Sequence, residues 1–548
     1  LTFLMSRRYK VMVQGMRNLP DTGGVLLLGN HISWIDWAIV SIASPRPISF
    51  VMARFIYERW YLTWFFRLFK VIPIERGPRA QESLVQVARL LDEGEVVCLF
   101  PEGQITRTGQ LTAFRSGYQR ACALVERECV IVPFYLGGLW GSQFSRASDK
   151  LKTARSRAIG RELVVAFGAP LPSDTDPVTL KRKVFELSVR SWVEYTDTLQ
   201  TLPRAWIDSV KRLGNDMALA DTGARPLSAN QALTRAVLLS RRIRRQQPGQ
   251  QYVGMIFPAG SAGMVANMAS LLAGKAVLNL NFTADPAVLR QSVERAGLRS
   301  VLTSRKVLER LAGRGIELES SLQGLDIHFI EDMEKPIGRA ESLLVRVLVR
   351  LLPGALLKPL VCKPTSPDAT AALLFTSGSE GVSKGVMLSH RNIMANVKQL
   401  SDVLNVREED VMLAQLPLFH SYGLTVCQFM PLIEGLPVVC HADPSDTIGI
   451  ARAVTRYQAT LMVSTSTFLR PFIANPRIHP LMLASLRMVV SGAEKLGDDV
   501  RKAFKLKFQR EVYEGYGMTE TSPVASVNLP DQLDTHSWHI QRGSKAGT

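Results

Sequence analysis

A histidine and an aspartate five residues apart, in LGNHISWIDW (28–37), combine the residue types of a base and its orienting partner. Five residues on an ideal helix correspond to about 140° of rotation, so His31 and Asp36 cannot share one helix face. We therefore expect His31 in the loop before a helix, with Asp36 in the first turn. Asp36 would then fix the imidazole tautomer while the other ring nitrogen removes a proton from an alcohol. Ser33 followed by Asp36 also matches a helix-capping pattern, and the segment alone leaves both interpretations open.

Arginine follows predicted strands in the same part of the chain. VIPIERG (71–77) ends a strand with Arg76, LFPEGQITRTG (99–109) carries Glu102 and Arg107, and AFRSG (113–117) adds Arg115. Guanidinium groups bind phosphate through paired hydrogen bonds, so this pattern favours a phosphate-bearing substrate.

The order of these segments resembles the glycerolipid acyltransferase family, which has an NHxxxxD block, an arginine block, a PEG block and a VP block. The resemblance covers roughly the first 170 residues. It implies transfer of a fatty acyl chain from a thioester to a hydroxyl of a lysophospholipid or glycerol phosphate, with His31 as general base and Asp36 as its orienting partner. The residues that it implies for the acyl acceptor are Arg76, Glu102, Gly103, Arg107 and Arg115. Many members read E-G-T-R-S, whereas Gln104 and Ile105 intervene here, so the arginine that meets the phosphate stays open.

A second group of motifs begins at LLFTSGSEGVSKGVMLSH (373–390), a predicted strand that runs into a Gly/Ser/Thr loop. Small residues let backbone N–H groups approach polyphosphate, and Lys384 adds charge. The loop is not a Walker-type P-loop, because Lys384 follows Ser383 rather than glycine. A solvated linker is the alternative for the loop alone. Three companions, LPLFHSYGL (416–424), SGAEKL (491–496) and YEGYGMTETSP (513–523), also follow apolar strands and favour a site.

Together these motifs resemble the adenylate-forming superfamily of acyl-CoA and acyl-carrier-protein synthetases, from about residue 210 onward. The resemblance implies attack of a carboxylate on the α-phosphate of ATP, which gives acyl-AMP and pyrophosphate. It implies Mg²⁺ at Glu520 and the acyl carboxylate near His420. The residues that it implies for the nucleotide are Thr376, Ser377, Gly378, Ser379, Lys384, Gly492, Ala493, Glu494, Tyr516, Gly517 and Thr519. The superfamily's small C-terminal subdomain should follow, but the chain ends at Thr548, so we expect that subdomain to be absent and adenylation to be poor.

The overall charge indicates an anionic partner. The chain of 548 residues has a formal net charge of +18, with 66 Lys and Arg against 48 Asp and Glu. No zinc-type spacing or RNA-binding motif accompanies this excess, so we expect a membrane surface rather than nucleic acid. Two basic apolar stretches, 55–74 and 342–361, are either interfacial helices or partly buried core helices. No segment has 18 uncharged apolar residues, and the six scattered cysteines favour reduced thiols in a cytosolic setting.

Alternating strand and helix patterns predict an α/β fold throughout. We expect an acyltransferase domain over 1–200 and an AMP-binding synthetase domain over 205–548. In the second domain, seven apolar strands that end in Gly, Ser, Thr or His predict one large parallel sheet with its site at the strand ends.

The order of the two domains resembles the bacterial bifunctional acyl-carrier-protein synthetase/2-acylglycerophosphoethanolamine acyltransferase family. That resemblance implies a phospholipid salvage enzyme at the cytoplasmic face of the inner membrane. Its partners would be a fatty acid, acyl carrier protein or CoA, and a lysophospholipid. Three alternatives remain: a long-chain fatty acid CoA ligase with an attached 1-acylglycerol-3-phosphate-type acyltransferase, a phosphatidic-acid-forming acyltransferase that senses nucleotide, and a catalytically silent membrane scaffold.

Overall fold

The computed structural model describes residues 8–60, 63–68, 70–75, 80–155, 161–335, 338–376, 383–534 and 539–541. It divides into two compact units, 1–198 with 405–408, and 199–404 with 409–548. Both are mixed α/β, which confirms the predicted fold class. Within the described ranges, every helix is too short or too polar to cross a bilayer.

The first unit contains a mainly parallel sheet. Its strands are Tyr9–Gln14 (β1), Gly24–Gly29 (β2), Ile48–Ala53 (β3), Ile72–Ile74 (β4), Val96–Leu99 (β5), Cys129–Gly137 (β6), Arg161–Phe167 (β7) and Leu171–Pro172 (β8). The order is β1-β7-β6-β2-β5-β3-β4, with β8 paired to β6. All six residues of β2 are buried, and β2 pairs in parallel with both β5 and β6. Because parallel strands end at the same sheet edge, the segments after β2 and β5 are neighbours.

Helices cover this sheet. They are Asp36–Ala43 (α1), Arg54–Tyr57 (α2), Thr63–Leu68 (α3), Ala80–Asp92 (α4), Gly117–Cys122 (α5), Asp149–Ala154 (α6) and Pro177–Asp197 (α7). Leu84, Val87 and Leu91 recur on one face of α4 and pack into the core against Leu26 and Leu28 of β2. The helix thereby buries its apolar face and holds β2 in the centre of the layer.

The second unit contains two principal sheets. Their strands are Met217–Asp221 (β9), Leu227–Ser228 (β10), Tyr252–Met255 (β11), Ala276–Asn279 (β12), Ser300–Thr303 (β13), Asp326–Phe329 (β14), Thr370–Thr376 (β15), Lys384–Ser389 (β16), Met412–Ala414 (β17), Val438–Cys440 (β18), Leu461–Ser464 (β19), Met488–Ser491 (β20), Val512–Gly517 (β21) and Val524–Val527 (β22). The first sheet has the order β14-β13-β11-β12-β15-β16 and the second β10-β9-β18-β17-β19-β20-β21-β22. A short hairpin joins Gln532–Asp534 (β23) to His539–Gln541 (β24).

The helices of the second unit surround these sheets. They are Leu202–Leu213 (α8), Ala229–Gln246 (α9), Ser261–Leu272 (α10), Pro286–Arg295 (α11), Arg305–Ala312 (α12), Glu319–Leu322 (α13), Ile330–Glu334 (α14), Arg339–Leu351 (α15), Gly354–Val361 (α16), His390–Leu404 (α17), Met430–Glu434 (α18), Thr447–Tyr457 (α19), Ser466–Ala474 (α20) and Asp498–Phe508 (α21). A π-helix over Gly423–Phe429 runs directly into α18.

The prediction of one large parallel sheet in this unit is wrong. Of the seven predicted strands, β11, β12 and β15 belong to the six-stranded sheet, and β17, β19, β20 and β21 to the other. Both sheets also contain antiparallel pairs, such as β15 with β16. Hydrophobic runs identify buried strands but do not specify which strands pair with each other. The division of these strands between two sheets therefore depends on tertiary packing.

The two basic apolar stretches both expose large side chains. In 55–74, Trp60 and Trp64 are exposed, at 87% and 68%. In 342–361, helices α15 and α16 each have a buried face and an exposed apolar face. Neither stretch is a simple core helix, and membrane contact stays a prediction.

Candidate active sites

The first candidate site lies at the carboxyl ends of β2 and β5. Asn30, which follows β2, donates from its side-chain nitrogen to the Leu136 carbonyl at 3.0 Å and accepts from the Leu136 N–H at 2.7 Å. These two bonds hold the end of β2 against β6. His31 is the next residue, so its position is set by the central strands rather than by a mobile loop.

The predicted contact between His31 and Asp36 is present. His31 Nδ1 lies 2.8 Å from Asp36 Oδ2. The histidine is in the loop before α1 and Asp36 is the first residue of that helix. A carboxylate only accepts hydrogen bonds, so this contact favours the tautomer of the neutral imidazole that has its proton on Nδ1 and a lone pair on Nε2. The imidazole side chain is 22% exposed. The arrangement leaves Nε2 competent to remove a proton from a bound hydroxyl.

Asp36 is not the helix cap that the alternative interpretation expected. Ile35 occupies the cap position and makes no side-chain capping bond. The Asp36 carboxylate instead accepts from the backbone N–H groups of Ile32 and Ser33 and from the Ser33 hydroxyl. The Ser33 hydroxyl donates to Asp36, whereas a capping serine would accept from the helix backbone. These bonds fix the carboxylate in a fully buried position facing His31.

Glu102 supports the histidine from the neighbouring strand end. Its Oε1 accepts from the His31 backbone N–H at 3.0 Å, and its Oε2 accepts from the Thr112 N–H at 3.2 Å and from the Thr112 hydroxyl. Burial raises the pKa of the Glu102 carboxyl, and these hydrogen bonds oppose the rise. The side chain is buried and both oxygens are occupied. The structure therefore disagrees with the prediction that Glu102 contacts the phosphate of the acyl acceptor. A carboxylate would also repel a phosphate.

The other predicted acceptor residues lie around the same loop. Thr106 donates its backbone N–H to the His31 carbonyl at 2.8 Å, which places Arg107 one residue from that contact. Ile105, part of the departure from the family pattern, is buried and anchors the loop. Gly103 has a left-handed backbone (φ 69°), and a Cβ there would lie 3.1 Å from the Arg115 guanidinium carbon. Arg115 is thus packed against the PEG turn, while Arg76 lies outside the described residues.

Sequence reasoning missed two residues that shape this site. The Phe100 ring stacks on the His31 imidazole with 4.2 Å between centroids and an angle of 14°. Asn30 supplies the clamp described above. Phe100 directly precedes the PEG block and Asn30 directly precedes His31, so only their positions in the sequence could have indicated these roles. Phenylalanine and asparagine do not indicate such roles by residue type.

In the second unit, the β15–β16 hairpin carries the ends of the predicted phosphate loop. Thr376 and Lys384 are paired across the antiparallel ladder, and the Thr376 hydroxyl donates to the Lys384 carbonyl at 3.5 Å. Ser377, Gly378 and Ser379 lie outside the described residues. The hairpin therefore brings the two described members of the motif to one place.

A cavity of about 630 Å³ lies in the second unit and collects the other motifs. Predicted site residues that line it are His420, Gly492, Ala493, Tyr516, Gly517 and Thr519. Apolar side chains that line it include Leu311, Ile316, Leu400, Leu404, Phe419 and Val426. The cavity thus has polar groups at the strand ends and apolar surface for a hydrocarbon.

His420 and Tyr422 form one wall of this cavity. Desolvation by the surrounding protein lowers the pKa of His420, which favours the neutral imidazole. The Tyr422 hydroxyl donates to the Val490 carbonyl at 3.3 Å. A Cβ on Gly492 would lie 3.2 Å from the Tyr422 ring, so glycine lets β20 approach that ring closely.

Glu494 and Glu520 are placed differently from the cavity residues. Glu494 is exposed and accepts from the backbone N–H and hydroxyl of Thr467. Thr519 lies 3.4 Å, hydroxyl to hydroxyl, from Ser421, and Glu520 follows it on the surface. The described residues contain no group of three or more metal-ligating side chains. One carboxylate beside a nucleotide site nevertheless suits Mg²⁺, which takes its remaining ligands from water and substrate phosphates.

Two families match this chain. Residues 10–137 match the Acyltransferase family, and residues 207–542 match the AMP-binding enzyme family. The second match covers more than half of the chain, so the chain belongs to the AMP-binding enzymes. The first match contains the His31 site, and the second contains the cavity.

Two of the similar proteins are CoA ligases. Over 294 residues the chain is 27% identical to the long-chain-fatty-acid–CoA ligase of Escherichia coli O6:H1, covering 50% of this chain and 52% of that enzyme. Over 168 residues it is 36% identical to 4-coumarate–CoA ligase 3 of Oryza sativa subsp. japonica, covering 30% of each. The chain therefore spans about half or less of the length of these relatives.

A benzoate CoA ligase from Burkholderia xenovorans has a similar structure. The TM-score is 0.50 at 17% identity, and the match covers 60% of this chain and 63% of that one. At this identity the likeness shows a shared fold and nothing finer.

Proposed function

We propose that this protein is a bifunctional enzyme of phospholipid salvage. The second unit activates a fatty acid with ATP to acyl-AMP and passes the acyl group to the thiol of acyl carrier protein. The first unit transfers that acyl group to a lysophospholipid, 2-acylglycerophosphoethanolamine, at the cytoplasmic face of the inner membrane. The observation that carries the proposal is the His31–Asp36 contact in the same chain as a cavity that lies within the AMP-binding enzyme match.

The acyl-transfer half of the proposal rests on His31. Nε2 would remove the proton of the acceptor hydroxyl as the oxygen attacks the thioester carbonyl, and the thiol would leave. Asp36 would stabilise the imidazolium that forms, and Arg107 and Arg115 would hold the acceptor phosphate. General-base catalysis of this kind contributes about 10²- to 10⁴-fold in rate.

The activation half rests on the cavity and the hairpin beside the phosphate loop. Gly492, Ala493 and Tyr516 would hold the adenine, Lys384 and Thr519 the phosphates, and the apolar wall the acyl chain. Glu520 would hold Mg²⁺, which when bound stabilises the charge on the phosphates. A neutral His420 beside the acyl carboxylate would donate a hydrogen bond to it without carrying a charge of its own.

A labelling experiment tests the whole proposal. Purified full-length protein is supplied with labelled palmitate, ATP, acyl carrier protein, CoA and lysophosphatidylethanolamine, and each of the last four is omitted in turn. We expect labelled phospholipid that requires both ATP and acyl carrier protein. Labelled acyl-CoA without labelled lipid would contradict it and favour a long-chain fatty acid CoA ligase.

A parallel reaction isolates the first unit. Either acyl carrier protein loaded with a labelled acyl group or labelled acyl-CoA is supplied as the donor. The acceptor is lysophosphatidylethanolamine or glycerol phosphate. We expect transfer from the acyl carrier protein to lysophosphatidylethanolamine. Preference for acyl-CoA or for glycerol phosphate would replace the proposed donor or acceptor respectively.

A further inference from the structure

Helices α15 and α16 carry an apolar face that the second unit leaves exposed. Its large side chains are between 42% and 72% exposed. They are Leu343, Leu344, Val347, Leu351, Leu356 and Leu360. At 100° per residue, the four on α15 lie within an arc of about 100°. A cluster of large exposed aliphatic side chains on one face of a folded unit is typical of an interaction site.

Polar anchors hold the two helices on the unit, so the exposed face is not a product of loose packing. Val345 and Val349 are buried on the opposite side of α15, which packs on α9. Glu341 accepts from Arg241 and Arg242 of α9, each at 3.2 Å. On α16, the buried Lys358 ammonium lies 2.6 Å from Asp208 of α8. The apolar face is therefore presented outward by a fixed scaffold.

A groove of about 570 Å³ between α9 and α15 borders this face. Leu238, Leu239 and Met333 form its buried floor. Its rim carries Arg235, Arg339 and Arg346, all exposed. Within the described part of the chain, these three guanidinium groups have no carboxylate partner. On the helical projection, Arg339, Arg346 and Arg350 all fall on one flank of the apolar arc.

We propose that this face docks on a bilayer that contains anionic phospholipid, with a lipid phosphate bound in the arginine groove. The leucines would enter the boundary between headgroups and acyl chains, and the flanking arginines would lie level with the phosphates. Residues 342–361 contain three cations and no acidic residue, which complements an anionic surface. Leucine and valine are under-represented at the energetic centres of protein interfaces, so the composition favours lipid over an acidic protein.

Vesicle binding tests the inference without either reaction. The purified chain is sedimented with vesicles of phosphatidylcholine alone, or of equal parts phosphatidylcholine and phosphatidylglycerol. We expect binding to the anionic vesicles and little to the neutral ones. Inorganic phosphate should not displace the protein, because a free anion offers nothing to the leucines. Absence of binding, or equal binding to both vesicles, overturns the inference.

Two double variants assign the binding to this face. Arg339→Gln with Arg346→Gln should weaken binding to anionic vesicles by about thirtyfold. Each interfacial charge contributes about 1 kcal/mol, and the two losses add. Leu344→Asp with Leu351→Asp should weaken this binding on the order of a hundredfold, because two leucines that would enter the bilayer are lost.

Control variants make the same chemical changes elsewhere on the second unit. Arg452→Gln with Arg477→Gln, and Leu481→Asp with Leu506→Asp, alter exposed residues and should bind as the parent does. Thermal unfolding of every variant verifies that it is folded. Equal binding by a folded face variant and its control overturns the inference and assigns binding to another surface, such as 55–74. Acyl transfer to detergent-dispersed lysophospholipid tests the proposed function separately, since it needs no bilayer.

Discussion

At the residue scale, the first candidate site is defined by which atom of each side chain is already engaged. His31 uses Nδ1 on Asp36, its backbone N–H on Glu102 and its carbonyl on Thr106. Nε2 is the atom left for chemistry. The backbone bonds do not depend on the imidazole, so the ring can be removed with little effect on the loop.

His31→Ala should lower the rate of acyl transfer from a preformed thioester by about 10²- to 10⁴-fold, because it removes the proposed base. The measurement is label transfer to lysophosphatidylethanolamine, with thermal unfolding as a check on folding. His328→Ala removes an imidazole from the other unit and should leave transfer unchanged. Transfer that persists in a folded His31→Ala protein would favour the silent scaffold.

Glu102→Gln should lower kcat more than it changes KM for the lysophospholipid. The amide nitrogen of glutamine cannot accept from His31 or Thr112, so one side of the bridge is lost and His31 is displaced. We expect the free energy of unfolding to fall by about 1–3 kcal/mol, the cost of one unpaired buried donor.

Steady-state kinetics and urea unfolding measure these two effects. Glu128→Gln, an exposed glutamate of the same unit, is the matched control. A large rise in KM with kcat unchanged would instead support a direct contact between Glu102 and the acceptor.

At the element scale, both sites lie where parallel strands end side by side. The segments after β2 and β5 meet in the first unit, and those after β20 and β21 meet in the second. Helix starts are held to these layers by polar contacts. At the start of α17, His390 Nδ1 accepts the backbone N–H of Leu202, the first residue of α8, at 3.3 Å.

The burial of His390 makes the second unit sensitive to acid. Burial lowers the pKa of His390 from 6.5 to about 4. The unfolded chain therefore binds a proton that the folded unit does not, and stability falls as pH drops from about 6.5 through 4. Between neutral pH and a pH below 4, the free energy of unfolding falls by roughly 3 kcal/mol.

Urea unfolding followed between pH 7 and pH 4 measures this dependence. His390→Gln keeps an acceptor but does not titrate, so its stability should depend less on pH than that of the parent. His479 also accepts a backbone N–H, from Leu481 at 3.2 Å, but it is exposed, so His479→Gln is the control. Equal pH dependence in the parent and His390→Gln would refute the assignment.

At the scale of the whole molecule, the two units carry different chemistries and should be separable by single substitutions. Glu520→Gln should weaken the rise in unfolding temperature that ATP and Mg²⁺ produce, because a metal ligand is lost. The same variant should transfer the labelled acyl group from preloaded acyl carrier protein to the lysophospholipid at the rate of the parent.

The reciprocal variant completes this test. His31→Ala should keep the full ATP-dependent rise in unfolding temperature and lose acyl transfer. Glu511→Gln, a carboxylate on the same stretch that pairs with Lys505, is the control for Glu520. Loss of both properties in either variant would mean that the two sites do not act independently.

The sequence by itself determined the fold class, the two enzyme classes and many local elements of this protein. Spacing alone predicted that His31 precedes a helix that begins near Asp36, and apolar runs located strands such as β2, β5 and β20. These features are local, because side-chain type, helical period and strand alternation are properties of neighbouring residues. The motifs at the strand ends likewise singled out His420 and Tyr516, which both line the cavity, while their roles stay predictions.

Only the tertiary structure decided the partners of those residues. It turned Glu102 toward His31 and Thr112, made Asp36 a buried acceptor rather than a cap, and divided seven similar strands between two sheets. Each outcome joins residues that are distant in sequence or selects among equivalent hydrogen-bond partners. Burial and pairing of polar groups are settled by packing of the whole unit, and a linear pattern of residue types does not specify that packing.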